Sequence, residues 1–275
     1  MAKPILTGRC AIVTGAGNGL GAAYAKDLAA AGAAVVVNDI DLTSAAAVVH
    51  AITEEGGSAV VDGNSVTTWE SSGAIVHTAL TAFGRLDGLV NNAGVFYLAD
   101  PAEEDPALLE DMVRVNLLGT MHCGQHAIRH MVAHGGGSIV NDTSGAQSGM
   151  RHRGTYGATK GATASLTYSW AMDLAASGIR VNAISPIART AMVDYGKALG
   201  ESGTDIPPEH VAPLVTFLLS DDAEGITGQV IRLDGSRLSL LSRPGTQRTT
   251  TESPLWDHDS LRAALPRLLA EHQHG

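Results

Sequence analysis

Cysteine is scarce in this chain of 275 residues: Cys10 and Cys123 stand alone, each inside an apolar segment. Two cysteines with no spacing pattern exclude a disulfide framework and fit a reducing compartment. Basic residues are few as well, 18 Lys and Arg against 28 Asp and Glu, for a net charge of −10. Acids spread along the whole chain argue against a nucleic-acid partner. Long hydrophobic runs are missing too. None approaches the roughly 18 apolar residues of a membrane span, so no membrane partner is expected. The N-terminus, "MAKPILTGRC", lacks the apolar stretch of a secretory signal. The location expected from these absences is cytoplasmic.

What is present is enough apolar material for a substantial core: 44% of residues are hydrophobic, and the length suits one large domain. Strand-like and Ala-rich helical stretches alternate. Strands are expected at 10–15, 33–39, 58–64, 86–94, 138–144, 179–186 and 229–235. Helices are expected at 21–32, 43–57, 68–84, 106–134, 155–177 and 209–221. Strands that read as continuous apolar runs are covered on both faces, as in a parallel sheet. Strand–helix alternation then implies right-handed crossovers and a doubly wound α/β fold. Near residue 240 the composition turns polar, with "SRPGTQRTTTESP". The expected organisation is one domain over 1–240 and a C-terminal extension over 241–275.

The stretch "TGAGNGLG" (14–21) follows the first strand and opens the first helix, with glycine at 15, 17, 19 and 21. Missing side chains at that position let backbone N–H groups approach a pyrophosphate, and the helix N-terminus adds partial positive charge. Asp39 ends the second strand, 24 residues beyond Gly15. An acid there accepts both ribose hydroxyls of NAD and repels the extra phosphate of NADP. Tyr156 and Lys160 are four apart, on one helix face. A tyrosine of ordinary titration is a poor base at neutrality, and a neighbouring ammonium favours its phenolate. Tyr156 would then exchange a proton with a substrate hydroxyl, while Ser144 donates to the substrate oxygen as charge develops there.

In order along the chain, "TGAGNGLG", "NNAG" (91–94), "VRVN" ending at Asn116, "SIVNDTS" ending at Ser144 and "YGATK" (156–160) resemble the short-chain dehydrogenase/reductase family in its compact, single-domain form. The resemblance spans about residues 5–240. It implies a Rossmann-like doubly wound parallel sheet in a three-layer α/β/α sandwich, and an NAD-dependent oxidoreductase acting on a secondary alcohol or ketone. It assigns catalysis to Asn116, Ser144, Tyr156 and Lys160, with Asn116 anchoring a water relay to the lysine. It assigns the cofactor to Gly15, Asn18, Gly19, Leu20, Gly21, Asp39, Ile40, Asn64, Ser65, Asn91, Ala93, Gly94, Tyr156, Lys160, Pro186 and Ile187. It also implies a homo-oligomer, tetramer or dimer. Two departures stand out. Asn64 and Ser65 lie where the family usually has an acid beside adenine, and Ile187 stands where a glycine commonly follows the proline. "VVVND", "NSV", "SPIARTAM" and "PEHVAPLVTFL" further resemble the dehydrogenase unit of multifunctional β-oxidation enzymes. That narrower resemblance implies a 3-hydroxyacyl thioester or a hydroxysteroid-like substrate. A non-catalytic dinucleotide sensor of the same fold is the alternative, disfavoured because both Tyr156 and Lys160 are present. An epimerase or dehydratase is disfavoured by the glycine spacing.

Three further features carry expectations. His122, His126, His130 and His134 recur every four residues. Their step rotates the ring position by about 40° each time, and no carboxylate or thiolate partner has suitable spacing, so no metal is expected. Arg151, Arg153 and Arg189 fall in loops expected at the catalytic mouth, where a guanidinium suits the phosphates of a coenzyme A thioester. In the tail, Leu261, Leu265, Leu268 and Leu269 share a helical face interrupted by Pro266. Such a stripe is expected to dock on a neighbouring subunit or beside the substrate mouth.

Overall fold

Val and Ile fill the central strands because branched side chains suit a pleated surface that is packed on both sides. The structure, a computed structural model, describes residues 4–190, 192, 204–244, 260–264 and 266. Strand β1 (Cys10–Thr14) leads through the glycine-rich turn to α1 (Gly19–Ala30). Then follow β2 (Ala34–Asn38), α2 (Leu42–Glu54), β3 (Ser58–Asp62), α3 (Trp69–Phe83) and β4 (Gly88–Asn91). Helix α4 (Pro106–Met112) runs through a π-helical segment, Val113–Gly119, into α5 (Thr120–Ala133). The chain continues with β5 (Gly137–Asp142), α6 (Gly154–Asp173), β6 (Ile179–Ile187), α7 (Ala212–Leu219), β7 (Val230–Asp234) and β8 (Arg237–Leu240).

Among the described residues the strands form one sheet in the order β3-β2-β1-β4-β5-β6-β7-β8. Every neighbouring pair is parallel except β7 and β8, which are antiparallel. The expected doubly wound α/β sandwich is therefore present, with one antiparallel edge strand, β8, beyond the last strand expected. Successive strand residues face opposite layers. Val13, Val35, Val37, Val90, Val140 and Ile184 pack with Tyr24, Leu28, Val48 and Leu218 of α1, α2 and α7. Ile12, Val36, Leu89, Ile139 and Val181 pack with Ile75, Ala79, Ala127 and Met131 of α3 and α5.

The expected helix over 106–134 is continuous in course but not in winding. An extra residue per turn over Val113–Gly119 marks a π segment. It carries Asn116, whose side chain reaches Val95 rather than solvent. The chain divides into two units, residues 1–241 and 242–275, and the whole sheet belongs to the first. In the second, residues 260–264 and 266 are helical and Leu261 is 37% exposed. Leu265, Leu268 and Leu269 of the expected stripe lie outside the described residues.

Candidate active site

Strand order reverses beside β1: the chain proceeds outward through β2 and β3, then returns to place β4 on the other side. Loops leave the carboxyl ends of β1 and β4 in opposite directions there, which opens a crevice. A cleft of about 800 Å³ occupies this place.

Its first half is built on glycine. Gly15 and Gly19 have φ of +62° and +54°, in the left-handed region. A methyl group at Gly21 would strike the Gly15 carbonyl oxygen, and one at Gly17 would come within 2.9 Å of Asp39 Oδ2. The loop is thus folded too tightly for side chains, leaving its backbone bare to the cleft. Asn18 is the N-cap of α1 but makes no capping hydrogen bond, whereas Asp41, Thr68 and Asp105 do cap α2, α3 and α4. The first N–H groups of α1 are therefore left for a ligand. Gly15, Asn18, Gly19, Leu20 and Gly21 all line the cleft, as do Asp39, Ile40, Asn64 and Ser65. Gly17 N donates to Asp39 Oδ2 at 2.9 Å and Asp41 N to Oδ1 at 3.0 Å, fixing the carboxylate at the end of β2. Asn64 Nδ2 donates to Asp62 Oδ2, which leaves the side-chain oxygen Oδ1 to accept from an amino group. These residues fit a dinucleotide.

The middle of the cleft corrects one expectation. Ala93 and Gly94 line it, but Asn91 does not. Asn91 ends β4 with its side chain turned into the protein, donating to Asn141 Oδ1 of β5 at 2.9 Å. Strand alternation hands the role to Asn92. It lines the cleft and donates to the carbonyl oxygens of Thr14 and Gly15 at 2.8 and 2.9 Å, tying the β4 exit to the β1 exit.

At the far end Ser144, Tyr156 and Lys160 come together on the cleft wall. Lys160 is 6% exposed, and its Nζ donates to the Asp142 carbonyl oxygen at 2.8 Å. Nζ stands 5.7 Å from the centre of the Tyr156 ring, one helical turn back. Ser144 Oγ accepts from Ala146 N at 3.2 Å, leaving its proton for an oxygen in the cleft. Asn116 is buried behind this group and does not line the cleft. Its Oδ1 accepts from Val95 N and its Nδ2 donates to Val95 O and, at 3.4 Å, to Thr159 Oγ1. Thr159 in turn donates to the Tyr156 carbonyl oxygen. Asn116 thus braces the helix that carries Tyr156 and Lys160. Pro186 and Ile187 line the cleft. Ile187 sits opposite Asp234 in regular β6–β7 pairing, without a positive φ, so the strand accepts a side chain there.

Phe96, Met150, Arg153, Arg232 and Asp142 also line this end, and sequence reasoning assigned none of them to the cofactor or to catalysis. Phe96 meets the Tyr156 ring edge-on at 4.8 Å, and the Arg153 guanidinium lies 5.1 Å above Phe96. Of the three mouth arginines expected, only Arg153 lines the cleft; Arg151 and Arg189 are exposed outside it. The histidine row is engaged elsewhere. His126 stacks on Trp69 and bonds its carbonyl oxygen at 2.9 Å, and His134 stacks on His130. Among the described residues no cluster of His, Cys, Asp and Glu could hold a metal, and no helix is long and apolar enough to cross a membrane.

A doubly wound sheet with a glycine-lined crevice at its switch point defines an α/β enzyme of the dinucleotide-binding class. Comparison with known proteins makes this narrower. A model of the short chain dehydrogenase family matches residues 9–197. The chain is 40% identical over 239 residues to a cis-4-hydroxycyclohexanecarboxylate dehydrogenase of Sinomonas cyclohexanicum, covering 82% of this chain and 95% of that one. A crystal structure of a short chain dehydrogenase from Mycobacterium avium matches with a TM-score of 0.87 and 34% identity, over 97% of this chain and 96% of that one. A 7α-hydroxysteroid dehydrogenase complexed with NADH and 7-oxo glycochenodeoxycholic acid matches with a TM-score of 0.77 and 32% identity, over 85% and 96%. The chain belongs to the short-chain dehydrogenase family, and is an oxidoreductase of CH–OH groups that uses a nicotinamide cofactor.

Proposed function

We propose that the protein oxidises a secondary alcohol with NAD, or runs the reverse reduction, using Tyr156 as the proton-transfer group. The carrying observation is the buried Lys160 beside Tyr156 at one end of a cleft whose other end is the bare glycine turn. The nicotinamide supplies the hydride acceptor. Tyr156, in its phenolate form, would take the carbinol proton on its Oη while the hydride leaves carbon. Ser144 holds the same substrate oxygen by donating its free proton. Lys160, fixed by the Asp142 carbonyl, keeps positive charge next to Tyr156. Asn116 holds the loop at Val95 against this helix. Asp39, fixed by two backbone donors, supports NAD over NADP, because a carboxylate that accepts ribose hydroxyls repels a phosphate there.

Phe96 packs on the Tyr156 ring, and Val95 and Met150 also line the cleft, giving apolar surface suited to an alicyclic ring. The ring alcohols named for two similar proteins support that choice. Cys10 and Cys123 are free and buried, which suits a reducing, cytoplasmic location. Exposed Leu108, Leu109, Leu118 and Val132 along α4, the π segment and α5 support a homo-oligomer, tetramer or dimer.

The test is absorbance of reduced cofactor with NAD and with NADP, over a panel of alicyclic alcohols, hydroxysteroids and 3-hydroxyacyl thioesters. NAD reduction by a ring alcohol is expected. Tyr156→Phe should lose roughly a thousandfold in kcat, at the scale of general acid–base catalysis, while still binding the cofactor. A rate within severalfold of the parent would remove Tyr156 from the reaction.

A further inference from the structure

Asp142 ends β5 two residues before Ser144 and lines the cleft. It is 7% exposed, and its Oδ1 has no hydrogen-bond partner. The residue before it on the same strand face is Val140, and β6 sets Ile184 opposite it in register. Two titratable groups face it. From α6 comes Lys160, whose Nζ bonds the carbonyl oxygen of Asp142. From α1 comes the fully buried Tyr24, whose Oη also lacks a partner and whose proton is held more tightly by burial and by the charge of Asp142. An ionised carboxylate in such a place is poorly solvated unless a positive charge reaches it.

The proposed reaction brings such a charge. A hydride acceptor must lie against Ser144 and Tyr156, hence beside Asp142, and the oxidised nicotinamide ring is positive whereas the reduced ring is neutral. Lys160 alone would repel the oxidised ring. We propose that the Asp142 carboxylate is the counter-charge for the oxidised nicotinamide, so that binding of NAD+ expels a proton from Asp142 to solvent and binding of NADH does not. This rests on the cofactor reading above. Burial raises Asp142, Lys160 offsets part of the rise, and the net value is about 7, so the proton is exchangeable near neutrality. A positive ring stabilises the carboxylate and lowers that value further. NAD+ should therefore bind more tightly as pH rises towards neutrality, and NADH should show no such gain.

To keep the proton-transfer group of the reaction out of the count, the experiment uses Tyr156→Phe with and without Asp142→Asn. Titration calorimetry in two buffers of different ionisation enthalpy counts the protons released by NAD+ and by NADH. With Asp142 present, NAD+ should release up to one proton near pH 6.5, and its affinity should rise by up to about tenfold per pH unit below neutrality. Asp142→Asn should abolish both effects and weaken NAD+ severalfold at about pH 8, while NADH binding, which also reports a folded cleft, stays within about twofold. The proposal is overturned if NADH shows the same pH dependence, if Asp142→Asn still releases the proton, or if affinity rises as pH falls. That last result would make Asp142 a neutral donor instead. Binding of neither dinucleotide would overturn the cofactor reading, and this inference with it.

Discussion

At the residue scale, Asp142 and Gly17 show how a site is set by groups that a core would reject. A carboxyl normally ionises near 3.9, and burial moves Asp142 to about 7. The raised value means the folded state holds its proton more tightly than the unfolded chain does. Folding is unpenalised below about pH 4, loses stability as pH rises towards 7, and carries the full penalty above it. That tighter hold on the proton corresponds to at most about 4 kcal/mol. Without cofactor, Asp142→Asn should therefore raise the midpoint of thermal unfolding at about pH 8 and leave it unchanged at about pH 4. A pH-independent difference, read by calorimetry, would mean that the side chain acts through packing alone. Gly17 is set by contact instead: its missing Cβ is the space in which the Asp39 carboxylate sits.

At the element scale, α1 combines an uncapped first turn with a place on the cleft. Helices α2, α3 and α4 begin with side-chain caps, whereas α1 begins with none and faces the cleft. Gly21 lies inside α1, where alanine would ordinarily gain up to about 1 kcal/mol in helix propensity. Here the new methyl would meet the Gly15 carbonyl oxygen and stand 2.6 Å from Asn92 Nδ2. Overpacking of that kind costs about 1–3 kcal/mol, and the carbonyl oxygen it strikes is backbone that cannot rotate away. Gly21→Ala should lower stability and weaken dinucleotide binding by at least about tenfold, seen in denaturant melts and calorimetry. Gly154 in α6 is the control, since nothing stands within 4 Å of a methyl group placed there. Gly154→Ala should leave both measurements unchanged.

At the scale of the whole molecule, every described residue lining the cleft falls between Gly15 and Arg232, within the unit that ends at Leu241. Removal of residues 242–275 should therefore leave cofactor affinity within about twofold, while light scattering reports whether the assembly depends on the tail. Loss of cofactor binding in a folded truncated chain would give the tail a part in the site. Much of the architecture was legible in the chain. Unbroken apolar runs such as "AIV" and "VVV" require cover on both faces, and the glycine turn and the Tyr156–Lys160 pair are local patterns that a helix or a strand exit suffices to place. Strand β8 escaped notice because it is short, its exposed residues show no apolar run, and only pairing with β7 makes it a strand. The π segment at Val113–Gly119 escaped because its winding departs from a regular helix without interrupting it. Which asparagine of "NNAG" faces the cleft was decided by the phase of β4, which turns Asn91 to Asn141 and leaves Asn92 at the crevice. Asp142 reads locally as one more polar residue at a strand end. The charged and titratable groups around it, Tyr24 on α1 and Lys160 on α6, reach it only because both helices pack on the same sheet; that surrounding belongs to the tertiary structure alone.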